Sequence, residues 1–229
     1  MAENQLLLQL KLVQAIKEVG TVKRFLPSEY GMDPDMMEHA IHPGSIVFQE
    51  KRRVRRAIEE AGIPHTFMVA NCFAGYFLSG LAQLGRFWPP KEDVHIYGDG
   101  NAKVVWMVEK DIGTYVINAV DDPRTLNRTI HMRPPKNVFS QLEVVNIWEK
   151  LSNKTLKKVY ITEKQWLQQI DDNKDHGMEY QSAVSIFYHI FFKGDTMSFS
   201  INQDNEASML YPHIQYTDVE SYLSDFVWA

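Results

Sequence analysis

The sequence predicts an α/β protein built on a parallel sheet, and three observations support that prediction. A helical pattern, a short apolar run, a second helical pattern and a second apolar run follow one another over residues 5–69. Helices that alternate with strands at this spacing are typical of parallel sheets flanked by helices. Hydrophobic residues make up 45% of the 229 residues, enough for one sizeable core. Because no repeat or low-complexity linker divides the chain, residues 1–229 are predicted to form one domain.

The elements of the first part are defined by apolar spacing and by the residues that end them. In order, they are a helix over residues 5–19, a strand over Val22–Leu26, a helix from about Ser45 to Ala61 and a strand over His65–Val69. Gly20 and Gly62 end the two helices. Ligands bind parallel sheets beyond the carboxyl ends of the strands. Pro27–Tyr30 and Ala70–Phe73 are these ends, so we expect them to flank the start of the second helix.

The second part of the chain alternates between turn-rich and helical patterns. It predicts a helix over residues 71–84, a hairpin joining Val94–Tyr97 to Val104–Met107, a helix over 111–120, a strand over 129–132, helices over 140–150, 162–170 and 178–191, and a last helix over 221–227 opened by a Thr217–Glu220 capping box. Residues 85–110 and 130–215 are expected to form a smaller, mostly helical substrate lobe over the strand ends.

Charge and composition exclude several classes of function. The net charge of −5 and the pI near 5.9 argue against nucleic-acid binding through bulk positive potential. No apolar run is long enough to span a bilayer, and the first residues lack the pattern of a secretory signal. Cys72 is the single cysteine, so a disulfide framework is impossible and a reducing compartment is expected. These features predict a cytoplasmic protein without a membrane partner.

The second helix carries the densest charge pattern in the chain. Its five cations within six positions are Lys51, Arg52, Arg53, Arg55 and Arg56. Lys51 and Arg55 are four residues apart and share one face of the helix. Crowding and burial both disfavour a charged amine, so Lys51 could act as a general base. The alternative is a solvated basic face, which composition alone favours.

Most other candidate motifs are better explained by a role in folding than by a role in catalysis or ligand binding. Gly98-Asp-Gly100 lacks the third glycine and the following helix of a phosphate loop. The histidines show no close pair at metal-ligand spacing, so we expect no metal site. Cys72 and three tryptophans, Trp106, Trp148 and Trp166, are expected to pack in the core. Tyr188 and His189 lie on an apolar helix, where a hydrogen-bonded core histidine and a substrate contact are equally compatible with the pattern.

Several motifs together resemble the plant isoflavone-reductase-like enzymes, an atypical short-chain dehydrogenase group with the NmrA-like fold. The motifs are Arg24-Phe-Leu-Pro-Ser-Glu-Tyr-Gly31, Phe48-x-x-Lys51-x-x-x-Arg55, Ala70-Asn-Cys-Phe-Ala-Gly-Tyr-Phe77, Tyr97-Gly-Asp-Gly-Asn101, Asp122-Pro-Arg-Thr-Leu-Asn127 and Ser208-x-Leu-Tyr-Pro212. Gly31-Met-Asp-Pro34, Arg133-Pro-Pro135 and Phe187-Tyr-His-Ile190 are most similar to the pinoresinol–lariciresinol reductase branch. The resemblance covers essentially the whole chain and implies a Rossmann-type, NAD(P)-binding sheet.

The resemblance also implies a reaction and a set of site residues. Lys51 matches the catalytic lysine of the family, which accepts the proton of a substrate phenol so that the furan ether opens to a quinone-methide-like intermediate. NADPH then delivers hydride to the benzylic carbon of a phenylpropanoid or lignan substrate. By the same resemblance Arg55, Asn71 and Phe73 contact the cofactor, and Tyr188 and His189 contact the substrate. Homodimers are common in the family.

The sequence departs from the family pattern at the cofactor cradle. Family members begin with a strand, a G-x-x-G-x-x-G turn and a helix, which together bind the pyrophosphate. This sequence contains no such turn. The expectation is therefore an incomplete sheet that lacks its first βαβ half, in an N-terminally truncated reductase whose turnover depends on whether it binds NADPH. The alternatives are a non-catalytic NmrA-like binding protein and a reductase of phenylcoumaran benzylic ether or isoflavone type.

Overall fold

The helices and strands alternate along the chain as an α/β fold requires. The computed structural model describes residues 5–172 and 177–227. Its helices are α1 (Gln9–Val19), α2 (Ser45–Glu60), α3 (Glu109–Ala119), α4 (Gln141–Ser152), α5 (Glu163–Asp172), α6 (Gly177–Phe191), α7 (Ala207–Leu210) and α8 (Val219–Ser224). Its strands are β1 (Thr66–Val69), β2 (Cys72–Phe73), β3 (Asp93–Tyr97), β4 (Lys103–Met107), β5 (Arg128–His131), β6 (Val138–Ser140) and β7 (Lys157–Ile161). Within these residues, no helix combines the length and apolarity needed to cross a membrane.

Most strand pairs are parallel, as the sequence predicts. β1 pairs with β5 in parallel, from Thr66 opposite Arg128 to Val69 opposite His131. β2 pairs in parallel with β4, and β4 pairs antiparallel with β6. β3 pairs in parallel with β7, a strand that the sequence analysis missed. The β3–β7 pair shows that the lobe region is not made of helices alone, and the division into domain and lobe stays a prediction.

The predicted strand over Val22–Leu26 is reduced to one bridge. Phe25 donates its N–H to Pro64 O over 2.8 Å and accepts from the Thr66 N–H at 3.2 Å. The ladder stops there because Pro27 has no N–H to donate. The next hydrogen bond to β1 comes from the N–H of Tyr30, which has a φ of 51°. The run of hydrophobic residues therefore lies beside β1 without forming a regular strand.

The predicted hairpin between residues 94 and 107 is wrong, because β3 and β4 pair with other strands. Gly98 donates its N–H to Ile161 O on β7, and Gly100 accepts from the Leu142 N–H at the start of α4. Both glycines have φ above +60°. The glycines thus let the chain leave one pair of strands and enter another, which local turn chemistry cannot distinguish from a hairpin.

The predicted helix over residues 71–84 is also wrong, apart from one helical turn at Ala74–Leu78. β2 leads into a single π-helical turn, Ala74–Leu78, and Leu81 and Ala82 then have positive φ. A Cβ atom at Gly80 would lie 2.1 Å from the Arg86 carbonyl oxygen. The chain folds back closely on itself at Gly80, so a continuous helix cannot form here.

The other helices begin and end close to their predicted limits. A capping box from Ser140 and Glu143 opens α4. The N-cap of α8 is Asp218, whose side chain accepts from the Ser221 N–H, so a single side-chain cap one residue later replaces the predicted capping box. Thr217 instead donates its N–H to Asp111 Oδ2. The displacement occurs because Asp111, which is distant in sequence, takes the Thr217 N–H.

Three hydrophobic clusters fill the interior. One lies between α1 and α2 and contains Val54 and Ile58, the predicted apolar face of the second helix. A second surrounds β1, β5 and α3, and the largest joins β3, β4, α4 and α6. The predictions for Cys72 and for the core tryptophans are confirmed, since all of these side chains are buried. A Cβ atom at Gly44 would lie 2.7 Å from Ser185 Cβ, so α2 begins in close contact with α6.

Gly100→Ala is expected to lower the free energy of unfolding by roughly 2–4 kcal/mol, from left-handed strain and overpacking together. Gly100 has a φ of +73°, and an added Cβ would lie 2.6 Å from both Ile96 Cγ2 and Leu142 Cγ. Gly62→Ala is the matched control, because Gly62 has a φ of +66° and open space around it. Urea denaturation of both variants separates the two effects. Equal decreases in the free energy of unfolding for the two variants would show that the Ile96 and Leu142 side chains move aside without cost.

Candidate active site

The Lys51 side chain lies at the carboxyl edge of the parallel strands. It is 6% exposed, and its Nζ donates a hydrogen bond to the Glu29 carbonyl oxygen over 2.8 Å. Glu29 belongs to the loop that follows the Phe25 bridge. A Cβ atom at Gly31 would lie 3.3 Å from Lys51 Nζ, so the glycine leaves space beside the amine. This loop therefore contacts the second helix at Lys51, in the second turn of the helix.

Burial lowers the proton affinity of the Lys51 amine below that of an ordinary lysine. Desolvation lowers the pKa of Lys51 below 10.5, and the positive charge of Arg55 lowers it further. The Glu29 carboxylate acts in the opposite direction but does not restore the ordinary pKa. The neutral amine is therefore easier to form than in solution. A neutral amine can accept a proton, so Lys51 has the environment of a general base.

Arg55 lies in a cage of carboxylates beneath Lys51. Its side chain is fully buried, and Nε and Nη2 donate to the two Glu29 carboxylate oxygens over 3.1 and 2.7 Å. Nη1 donates to Asp33 Oδ1 over 2.7 Å and to Asp35 Oδ2 over 2.9 Å. Burial alone would lower the pKa of Arg55, but the surrounding carboxylates outweigh it and raise the pKa above its ordinary value. Arg55 therefore stays charged.

The carboxylate cage gives Arg55 a positioning role. Each of its nitrogens donates to Glu29, Asp33 or Asp35, all of which lie in the loop between Phe25 and α2. These hydrogen bonds hold the loop, including the carbonyl group that binds Lys51 Nζ, against the helix. The sequence analysis missed the three carboxylates, because nothing in their spacing indicates an arginine partner. The contact of Arg55 with a cofactor stays a prediction.

Asn71 links three segments that end at this edge. Its backbone N–H donates to the Gly31 carbonyl group over 3.0 Å, and its Nδ2 donates to Met132 O just beyond β5. Asn71 has a φ of 57°, a conformation that asparagine tolerates better than most residues. Phe73 ends β2 and is partly exposed. Asn71 thus joins the Gly31 loop to the end of β5, while its predicted cofactor contact, like that of Phe73, remains untested.

Tyr188 and His189 form polar contacts within the lobe region. The Tyr188 hydroxyl donates to Glu163 Oε1 over 2.8 Å. Lys193 Nζ lies 5.1 Å from the centre of the Tyr188 ring. His189 is 2% exposed and has hydrogen-bond partners at both ring nitrogens. The geometry of His189 is that of a core histidine satisfied by hydrogen bonds. Its predicted substrate contact and that of Tyr188 remain predictions.

The tertiary structure brings together a histidine pair that the sequence does not reveal. His39, His189 and Asp195 place their ligand atoms within 4.8 Å of one another. The sequence analysis found no close pair because the two histidines are separated by 150 positions. No local signal could have found this cluster, since only folding brings its members together.

A cavity of about 1000 Å³ opens in the lobe region. Its walls include the aromatic side chains of Trp88, Tyr97, Trp166 and Tyr180. Arg86, Lys91, Glu92 and Asp93 also line it. Its lining thus mixes aromatic with polar and charged side chains, and it includes none of the predicted site residues.

Parallel strands flanked by helices, with polar groups at their carboxyl edge, are typical of Rossmann-like α/β folds. The chain belongs to the NmrA-like family, whose profile matches residues 1–223. It is 54% identical to a bifunctional pinoresinol-lariciresinol reductase of Thuja plicata, over 98% of this chain and 71% of that protein.

Solved structures show the same fold. A structure of AtPrR2 with NADP+ and (+)pinoresinol matches with a TM-score of 0.94 and 46% identity, covering 98% of this chain and 71% of that one. A ternary complex of leucoanthocyanidin reductase from Vitis vinifera matches with a TM-score of 0.89 and 37% identity, covering 100% of this chain and 77% of that one. The predicted family resemblance and fold class are confirmed. The named relatives are reductases, and NADP+ is present in one of these structures.

Proposed function

We propose that this protein is an NADPH-dependent reductase that opens the benzylic ether of lignans of the pinoresinol and lariciresinol type. The observation that carries the proposal is the buried Lys51 amine at the carboxyl edge of the sheet, with space beside it at Gly31. The 54% identity to a reductase named for these lignans supports the choice of substrate.

In the proposed mechanism Lys51 acts as the general base. The neutral amine accepts the proton of a substrate phenol, and the resulting phenolate breaks the benzylic C–O bond. This step gives a quinone methide and an alkoxide, which takes a proton from solvent. The Glu29 carbonyl group holds Nζ in place before and after the proton transfer, because it can accept a hydrogen bond from either protonation state. Bound NADPH would supply the hydride for the benzylic carbon. Arg55 keeps the Glu29 loop against α2 and disfavours the ammonium form of Lys51.

The residues at this edge suit the reactive end of a nicotinamide cofactor. Asn71 uses Nδ2 for Met132, and its Oδ1 accepts no hydrogen bond from the described residues. This oxygen is therefore available for the carboxamide N–H of a nicotinamide ring. Gly31 and the partly exposed Phe73 leave room at the same edge. We assign Asn71 and Phe73 to the nicotinamide end on this basis.

The test is a titration of the chain with NADPH, followed by turnover of pinoresinol and lariciresinol across a range of pH. We expect NADPH binding and reduction of both lignans. Because Lys51 must be neutral, kcat/KM should rise with pH and level off at a pH below about 10.5, the ordinary lysine pKa. A profile that falls as the pH rises from neutrality would contradict a lysine base.

Two other outcomes would favour the alternatives. Lignan binding without turnover, under conditions in which NADPH also binds, would favour a non-catalytic NmrA-like binding protein. Turnover restricted to a phenylcoumaran or an isoflavone would favour a neighbouring reductase type. The isoflavone alternative is supported by a solved isoflavone reductase structure that matches with a TM-score of 0.90 and 41% identity.

A further inference from the structure

Three polar side chains meet beside residues 33–41, the segment that we call the strap. His189 on α6 places Nδ1 2.8 Å from Asp195 Oδ2, and His39 on the strap places Nε2 2.9 Å from the same oxygen. The backbone N–H of Ile41 donates to His189 Nε2 over 2.9 Å. The backbone N–H of Asp195 donates to the His189 carbonyl group over 3.0 Å. The strap is thereby bonded to α6 and to the turn that follows it.

These hydrogen bonds determine where the proton of His189 lies. The Ile41 amide can only donate, so His189 Nε2 must accept and cannot carry a proton. The neutral ring then has its proton on Nδ1, which donates to Asp195. Burial raises the pKa of Asp195, but the hydrogen bonds from the two histidines outweigh burial and lower it. Asp195 is therefore a carboxylate that accepts two hydrogen bonds.

The same proton positions disfavour a metal ion at this cluster. A metal ion bound to His189 Nδ1 would displace the proton from that nitrogen. A neutral ligand would then need its proton on Nε2, where the Ile41 N–H already points. The three ligand atoms are close enough to share an ion. The hydrogen-bond pattern nevertheless fits a clamp made of protein groups.

The other end of the strap is bonded to the helix that carries Lys51. Asp33 and Asp35 accept from Arg55 Nη1, over 2.7 and 2.9 Å. The Pro34 carbonyl group accepts a hydrogen bond from Arg52 Nη1. Arg52 and Arg55 are one and four residues after Lys51. The strap therefore connects α2 to α6 through hydrogen bonds at both of its ends.

We infer that His39, Asp195 and His189 form a clamp that positions Lys51 by holding the strap between α2 and α6. The inference rests on the proposed function, because it assigns positioning residues to that same site. The Glu29 carbonyl group and Gly31, which surround Lys51 Nζ, lie just before the strap. An open clamp would loosen this loop and let water reach the amine. Hydration favours the charged amine, so the pKa of Lys51 would move back toward its ordinary value.

The first test compares His39→Ala with His39→Gln. The His39 side chain is 54% exposed, so its removal leaves no buried cavity. We expect His39→Ala to lower kcat roughly tenfold, the equivalent of one hydrogen bond, with little change in the KM for lignan. The rising limb of its pH profile should move to higher pH. His39→Gln should restore most of the activity, because its amide N–H can reach Asp195. The control is Glu38→Ala, an exposed neighbour on the strap.

The second test does not depend on turnover. The Ile41 amide should exchange with deuterium roughly tenfold faster in His39→Ala than in wild type, and His39→Gln should restore its protection. Unchanged exchange together with an unchanged pH profile in His39→Ala would overturn the clamp. Tight Zn²⁺ binding that is lost in His39→Ala would overturn it in favour of a metal site. If wild type reduces no lignan, the exchange measurement still decides the clamp, and the proposed function fails separately.

Discussion

Lys51→Ala is expected to lower lignan turnover by roughly 10²- to 10⁴-fold, the contribution of a positioned general base, while the chain remains folded. The Lys51 amine is buried at the carboxyl edge of the sheet, and its pKa is lowered mainly by desolvation. The variant loses the proton acceptor but keeps the binding surfaces of the lobe, so the loss should appear in kcat and not in the KM for lignan. Steady-state kinetics with saturating NADPH measures both constants.

The matched control for this prediction lies on the same helix. Arg53 is exposed and has no side-chain hydrogen bond or ion pair among the described residues. Arg53→Ala removes an equal charge two residues away and should leave kcat unchanged. Lys51→Arg adds a second comparison, since a guanidinium remains protonated at all accessible pH values. Full activity in either Lys51 variant would show that another group takes the proton.

Arg55→Met should lower the free energy of unfolding by roughly 3–5 kcal/mol, because it leaves buried carboxylates without their partner. The Glu29 and Asp33 side chains are 2% and 4% exposed, and both are bonded to the fully buried Arg55. Methionine fills most of the volume of the arginine side chain. The decrease in the free energy of unfolding therefore reflects the unpaired carboxylates more than a cavity. Urea denaturation at neutral pH measures this loss.

The stability loss in Arg55→Met should shrink as the pH falls. Burial raises the pKa of Glu29, so Glu29 becomes neutral as the pH falls, and an uncharged buried carboxyl group costs less than a charged one. Arg56→Ala is the control, because Arg56 is 50% exposed and bonded to the partly exposed Asp35 and Glu59. Its loss should be about 0–1 kcal/mol, as for surface pairs. Equal losses for the two arginines would show that the cage contributes no more than a surface ion pair.

Local sequence patterns were sufficient for the elements whose stability is local. The second helix, with its terminal Gly62, its Val54 and Ile58 stripe and its cluster of cations, was predictable because apolar periodicity and a glycine end signal lie within a few residues of each other. The β1 strand was predictable because Phe67, Met68 and Val69 form a short apolar run. Motif resemblance identified the family and Lys51.

Elements that depend on distant partners were not predictable in the same way. β7 is a partly exposed run that begins with two lysines, and it becomes a strand because β3 lies beside it. The residues around Gly98 and Gly100 satisfy the rules for a hairpin turn, and only the positions of β7 and α4 select a different path. A local pattern predicts that a turn occurs. The partner of the strand that follows the turn depends on which strands lie beside it in the folded protein.

The sequence by itself therefore determined the α/β class, the family and the helix that carries Lys51, because these depend on periodicity and on short motifs. The tertiary structure alone decided the environment of that lysine. The Glu29 and Asp33 carboxylates lie 26 and 22 positions from Arg55, and Ile41 lies 148 positions from His189. Burial and charge pairing arise only when such distant residues meet. The pKa of Lys51 follows from those contacts, since desolvation and neighbouring charge set the pKa of a buried amine.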